Sequence, residues 1–368
     1  MSFAILGIGT ALPPAILSQP DAFRVARALG RPTDEQATWL PSMYGGTGVA
    51  TRHTALGEAV VRDVLDGTKH TGSPYLPTGL PGDRGPTTAR RMQHYAELAP
   101  PLAVQAAAAA LRPSGLKASE LTHVVTVSCT GFVAPGVDLA LIRTLGLAAT
   151  VQRTHVGYMG CHGALNGLRV ARAFVAAEPG ARVLLCAVEL CTLHYHYGWE
   201  AQKVIANALF ADGAAAVVGA PADAAPEGAW RAEATGSCLI PDSANAMGWT
   251  VGDHGFEMML SRQVPRLIAS HLRPWMESWL GRNGLTVGEV GSWAVHPGGP
   301  RILDAVEEGL GLPRGSTDVS RAVLSEFGNM SSPTVLFILD RLRAAGAPRP
   351  CVALGFGPGL MAEAVLLR

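Results

Sequence analysis

Cys161, His296 and Asn329 are the residues of this chain whose types together do thioester chemistry. Cys161 lies in V-G-Y-M-G-C-H-G-A-L-N-G-L-R-V (residues 156–170), where an apolar run gives way to helical spacing. Ala164, Leu165, Leu168, Ala171, Phe174 and Val175 follow one helix face, and Glu178-Pro179-Gly180 stops it. A thiol at a helix start feels the positive end of the peptide dipoles, which favours the nucleophilic thiolate. Gly160 and Gly163 leave the backbone free to turn and a ligand free to approach. His296 closes an apolar stretch in A-V-H-P-G-G-P (residues 294–300), the strand-end position where ligand groups gather in α/β folds. Asn329 sits in G-N-M-S-S-P (residues 328–333), a turn that opens a helical pattern. Read singly, these are a buried cysteine, a structural histidine and a helix cap. Read together, a thiolate takes an acyl group while imidazole and amide donors hold an oxyanion. A cysteine protease uses the same trio, but its local signatures are missing around Cys161.

Three such distant residues meet only if the chain between them alternates strands and helices. Apolar runs predict strands over residues 3–8, 123–127, 182–189 and 214–218, with helices over 18–29, 96–111 and 138–145 and after Cys161. Residues 33–91, rich in Gly, Pro and Thr, read as loops and short helices. A small-residue and proline linker at 220–228 divides the chain. Beyond it come strands over 230–234, 291–295, 351–355 and 362–367, and helices over 263–280, 300–310 and 334–345. The order predicts a mostly parallel α/β layer structure, duplicated on the strength of element order alone.

The bulk properties narrow the function. In 368 residues, 29 basic side chains balance 29 acidic ones, and only 16% of residues are charged against 48% hydrophobic. That balance gives no electrostatic pull toward nucleic acid or an anionic membrane, and it suits a large core with surface buried by self-association. The six cysteines, at 129, 161, 186, 191, 238 and 351, form no dense framework and read as reduced thiols of a cytoplasmic protein. No charged leader precedes the apolar start and no run of 18 apolar residues occurs, so neither export nor stable membrane insertion is expected.

Five motifs stand in order: G-C-H-G-A-L-N-G-L-R around Cys161, A-L-F-A-D-G-A-A-A at 208–216, H-P-G-G-P at 296–300, G-N-M-S-S at 328–332 and G-F-G-P-G-L at 355–360. On these the chain resembles, over nearly its whole length, the type III polyketide synthases, chalcone-synthase-like condensing enzymes. The resemblance implies an α/β thiolase fold: two similar halves, residues 1–222 and 223–368, in five α-β-α-β-α layers, assembled as a homodimer. It implies that Cys161 carries the acyl group and that His296 also lowers the Cys161 pKa as an ion-pair partner. His296 and Asn329 bind the malonyl thioester carbonyl, promote decarboxylation and stabilise the enolate. Phe210 and Met258 match two gatekeepers, the second aromatic in plant enzymes. Trp249 falls where those enzymes have a glycine, and Cys129 where they have a threonine. Glu189 and Ser331 match the other cavity polar groups tied to the choice of cyclisation. Gly298 and Gly299 belong to the same substrate-binding set, and Arg52 is the candidate for a CoA phosphate contact. Acyl-CoA and malonyl-CoA are the implied partners, with no cofactor beyond these CoA thioesters. L-C-T-L-H-Y-H-Y-G-W (residues 190–199) resembles bacterial members that make alkylpyrones and alkylresorcinols from fatty acyl-CoA starters.

Other readings compete. Within the family, the starter could be short or aromatic. A single-step ketoacyl synthase usually has His-Gln-Ala-Asn where this chain has His296-Pro297-Gly298-Gly299. An inactive acyl-CoA binding protein would not need the intact trio. Cys186, Cys191, His194 and His196 have zinc-like spacing, but a strand ending at Glu189 would point the two cysteines in opposite directions.

Overall fold

The structure, a computed structural model, describes residues 2–368. The first half runs β1 (Phe3–Ala11), β2 (Ala15–Ser18), α1 (Gln19–Gly30), α2 (Asp34–Ala37), α3 (Leu40–Gly45), β3 (Thr51–Thr54), α4 (Glu58–Asp66) and α5 (Thr88–Ser114). It continues with β4 (His123–Ser128), α6 (Val137–Leu145), β5 (Gln152–Gly157), α7 (Gly163–Ala177), β6 (Val183–Leu190), α8 (Ala201–Leu209) and β7 (Asp212–Pro221). The second half runs β8 (Arg231–Leu239), β9 (Met247–Gly252), β10 (Gly255–Leu260), α9 (Val264–Arg282), β11 (Ser292–Val295), α10 (Pro300–Leu310), α11 (Asp318–Phe327), α12 (Thr334–Ala344), β12 (Cys351–Gly357) and β13 (Met361–Leu367).

Nine strands form one sheet in the order β11-β12-β13-β8-β1-β7-β6-β4-β5. Only β11–β12, β6–β4 and β4–β5 pair in parallel, and the other five neighbours are antiparallel. The sheet is therefore not mostly parallel. Continuous apolar strands reflect cover on both faces, and helices cover both faces here whatever the strand direction. Thus β6 and β7 are antiparallel to each other, yet every residue of both is buried.

Three apolar clusters define the layers. One joins α5 and α6 to one face of β4, β6 and β7. A second places α7 and α12 against the opposite face of those strands and against β8, β11, β12 and β13. The third packs α9 and α10 onto the far face of β11, β12 and β13. This is the five-layer thiolase arrangement, and α7 and α12 are its central layer. The alanine run of α5 has a local cause. A side-chain carbon at Gly7 or Gly9 would lie about 2.1–2.2 Å from Ala110 backbone atoms, so α5 lies directly on the β1 backbone. α5 also starts well before residue 96, because the Thr87 hydroxyl accepts the Arg90 amide at 3.3 Å and caps it.

Candidate active site

The seat of Cys161 is built from small residues. Cys161 lies in a single 3-10 turn, Gly160–His162, that runs straight into α7. Gly160 has φ +70°, and a side-chain carbon there would lie 2.5 Å from the Pro358 ring, so only glycine fits. His162 packs over β12, where a side-chain carbon at Gly357 would come 2.5 Å from its ring. The glycines of G-F-G-P-G-L thus make room for His162.

His296 leaves the end of β11 with its amide donating to the Leu354 carbonyl at 2.8 Å. Asn329 is held by main-chain bonds to the end of α8: its amide donates to the Leu209 carbonyl and its carbonyl accepts from Ala211, both at 2.9 Å. Its side-chain Oδ1 accepts the Ser331 amide at 2.8 Å, which leaves Nδ2 as the outward donor. Cys161, His296 and Asn329 line one enclosed cavity of about 30 Å³ with Phe210, Met247, Met258, Leu260, Gly298, Ile302 and Phe356.

The thiol is half-buried and in contact with the Ser331 hydroxyl at 3.6 Å. Burial pushes its pKa up to about 11, against which the Ser331 hydroxyl and the Asn329 side chain favour the thiolate. Burial and the neighbouring His162 push His296 down to about 3. Both His296 ring nitrogens lack a hydrogen-bond partner. Burial thus favours a neutral thiol and a neutral imidazole in the unliganded site. Burial opposes the expected resting ion pair, acting against the favourable effects at the start of α7. Both His296 nitrogens are left unengaged toward the cavity's other groups.

A second cavity, of about 80 Å³, is lined by Cys129, Thr130, Cys191, His194, Tyr195, Ala206, Asn207, Phe210, Trp249, Phe256, Met258 and Ser331. Phe210 and Met258 line both cavities and form the wall between them.

Residues 2–222 match the family model for the N-terminal domain of chalcone and stilbene synthases, and residues 233–368 match its C-terminal domain. The chain belongs to this family. Its members are type III polyketide synthases, enzymes that transfer acyl groups and join them by Claisen condensation. The chain is 33% identical to a 1,3,6,8-tetrahydroxynaphthalene synthase of Streptomyces peucetius, covering 99% of this chain and 93% of that one. It is 32% identical to the alpha-pyrone synthesis polyketide synthase-like Pks18 of Mycobacterium tuberculosis, covering 98% and 90%. The crystal structure of PKS-I from the brown alga Ectocarpus siliculosus superposes with a TM-score of 0.89 at 32% identity, over 100% of this chain and 98% of that one.

Two residues of this type III polyketide synthase lie away from their expected roles. Arg52 is fully buried and touches no solvent-facing surface where a CoA phosphate could sit. It donates to the carbonyls of Asn207 (2.9 Å), Ala208 (2.5 Å) and Phe210 (2.9 Å), and to the Gln19 side chain. It thus ties down the end of α8 and Phe210. Glu189 is fully buried beneath the second cavity and does not line it. Its carboxyl accepts the amides of Cys129 and Thr130 at 3.0 Å and the hydroxyls of Thr130 (2.7 Å) and Ser332 (2.5 Å). Glu189 therefore fixes two cavity walls relative to each other without reaching a ligand.

Cys129 and Ser331 do face the second cavity, linked by Sγ···Oγ 3.5 Å. Gly298 lines the catalytic one, and Gly299 caps the start of α10. Trp249 stands directly opposite Met258 in the β9–β10 hairpin. It stacks on Phe256 at 4.9 Å, and Phe256 stacks on His194 at 4.0 Å. Phe256 and His194 are cavity residues that sequence reasoning missed. His194 bore zinc-like spacing, but its Nε2 meets the Thr130 carbonyl at 2.7 Å and its Nδ1 accepts the Phe256 amide at 3.2 Å. Burial first, then Arg91, hold His194 down to about 3, so it is a neutral ring. Cys186, on the opposite face of β6, approaches the Ala103 carbonyl at 3.6 Å.

Proposed function

We propose that this enzyme loads an acyl group from acyl-CoA onto Cys161 Sγ, lengthens it with malonyl units and releases it by ring closure. In loading, the sulfur attacks the thioester carbonyl while its proton passes to His296; the C–S bond to CoA breaks and CoA leaves with that proton. Malonyl-CoA follows, its thioester oxygen facing Asn329 Nδ2 and His296. Loss of CO₂ leaves an enolate that these donors stabilise. The enolate carbon attacks the Cys161 thioester, forming the new C–C bond and freeing the sulfur, with the longer chain now on CoA. The observation that supports this reading is the convergence of Cys161, His296 and Asn329 on one cavity, with both His296 nitrogens unengaged.

The starter we infer is a medium to long fatty acyl-CoA, extended two or three times and closed to an alkylpyrone or alkylresorcinol. Its support is Met258 in the wall between the cavities, where three rotatable bonds let the side chain fold aside. The β9–β10 hairpin pairs only with itself, outside the main sheet. A short or aromatic starter is the second reading, favoured by Trp249, which narrows the same cavity that Met258 would open. Each buried methylene gains about 0.8 kcal/mol, so an open passage favours long chains strongly. The test is turnover of acyl-CoAs of graded length with malonyl-CoA, products read by mass spectrometry. A fatty starter should win, and Met258→Phe should shift the preference to shorter chains. Faster turnover of benzoyl-CoA or coumaroyl-CoA than of any fatty acyl-CoA would leave only the second reading.

The same reading makes the enzyme a homodimer. Its support is the exposed apolar group Phe132, Tyr158 and Met159 beside the edge strand β5. Sedimentation velocity showing one chain per particle at micromolar concentration would refute it.

A further inference from the structure

Where α7, β8 and the last turns of α9 meet, a third cavity of about 380 Å³ is lined by Arg172, Thr235, Ser237, Trp275, Trp279 and Arg282, among others. It shares no lining residue with either active-site cavity, and no carboxylate lines it.

Its two arginines are left bare where a neighbouring one is not. Arg169, one turn earlier on α7, is spent on Glu363 and on the Ser237 hydroxyl at 2.7 Å. Glu233, next to Ala234 in β8, is paired with Arg368 at 2.8 Å. Arg172 and Arg282 enter none of the ion pairs among the described residues. Arg282 donates to the Ser278 hydroxyl at 3.0 Å, whereas Arg172 Nε is buried with no hydrogen-bond partner. A buried N–H without an acceptor is costly, so Arg172 calls for an acceptor that the chain itself does not supply.

The other walls suit an anion. Trp279 sits against Gly236, where a side-chain carbon would lie 2.7 Å from its Nε1. That Nε1 donates to the Thr235 carbonyl at 3.3 Å, and Trp275 stacks on Trp279 at 6.1 Å. Carbonyls at the end of α9 would repel an anion, but Asn283 Nδ2 covers that of Trp279 at 2.8 Å and Arg368 covers that of Asn283 at 3.0 Å. Two guanidinium forks with no competing carboxylate match the oxygens of a dianion, and the volume is that of a small-molecule site.

We propose that this cavity binds a phosphate dianion, free or as a phosphate monoester, held between Arg172 and Arg282 with Trp275 and Trp279 as its wall. The site stands apart from the thioester chemistry and holds whether or not Cys161 is the nucleophile.

The test titrates the whole enzyme with sodium phosphate and with adenosine monophosphate at fixed ionic strength, followed by calorimetry and by tryptophan fluorescence. Saturable binding is expected, and Trp275→Phe should remove most of the fluorescence change. Arg172→Gln and Arg282→Gln, checked as folded by their melting temperatures, should each weaken binding roughly tenfold or more. Tighter binding of the nucleotide would mark an ester as the ligand, with its nucleoside beside the indoles; tighter binding of phosphate would mark the free ion. No saturation by either up to about 10 mM would overturn the proposal. Wild-type affinity in either arginine variant would overturn it too, because the anion would then sit elsewhere, as on a CoA phosphate contact. If Arg172→Gln does not fold, Arg282→Gln decides alone, since that side chain is exposed.

Discussion

At the scale of single residues, the site is a set of groups held neutral by burial and ready to exchange protons. Cys161, with a thiol pushed up to about 11, stays protonated at neutral pH. Alkylation by iodoacetamide should therefore climb with pH through the whole range below about 11 and level off only above it. A rate already flat from pH 6 would mean that His296 and Cys161 form the resting ion pair that the sequence suggests. Cys161 and Cys238 are the cysteines not fully buried, so labelling should reach these two before the other four. Asn329 and His296 should separate by function. Asn329→Ala removes one oxyanion donor, a change that typically costs roughly 100- to 1,000-fold in rate, and should slow malonyl-CoA decarboxylation more than acyl loading. His296→Ala should slow both. Equal slowing of both steps by Asn329→Ala, measured as CO₂ release against acyl-enzyme formation, would contradict the division.

At the scale of elements, turns and caps hold these groups in register, and this is where sequence was most and least legible. The helix after Cys161 and the strand before His296 were readable because apolar periodicity and glycine or proline punctuation agree there. The β9–β10 hairpin was not, although it carries Trp249, Phe256 and Met258. Its two strands are half-exposed and mix glycine, threonine and glutamate with apolar residues, so neither period stands out. The same limit hid Arg52. An arginine in a threonine-rich strand reads as solvated, and only the fold shows three main-chain carbonyls waiting for it. Arg52→Ala should therefore cost roughly 3 kcal/mol or more of stability, from buried carbonyls left unpaired. It should also loosen Phe210 and broaden starter choice. Denaturant titration and the graded acyl-CoA assay check the two effects, and unchanged stability would show that water replaces the guanidinium.

At the scale of the molecule, the two halves repeat one plan. β4-β6-β7-β1 in the first half and β11-β12-β13-β8 in the second have the same order and the same strand directions. Equivalent strand ends then meet across the central layer: Cys129 follows β4 as His296 follows β11. Cys161 arrives at the head of the buried helix α7, and Asn329 in the turn before its counterpart α12. Element order suggested this duplication. Strand direction was beyond the sequence, because burial on both faces makes parallel and antiparallel strands look alike. The central claim is that this assembly places the acyl group on Cys161. Its most direct test is to mix the enzyme with acyl-CoA, quench within one turnover, and locate the acyl mass by peptide mapping. The account predicts a single thioester on Cys161, released when malonyl-CoA is added and missing in Cys161→Ala. An adduct on Cys129 or Cys191, or malonyl-dependent product formation by Cys161→Ala, would contradict it.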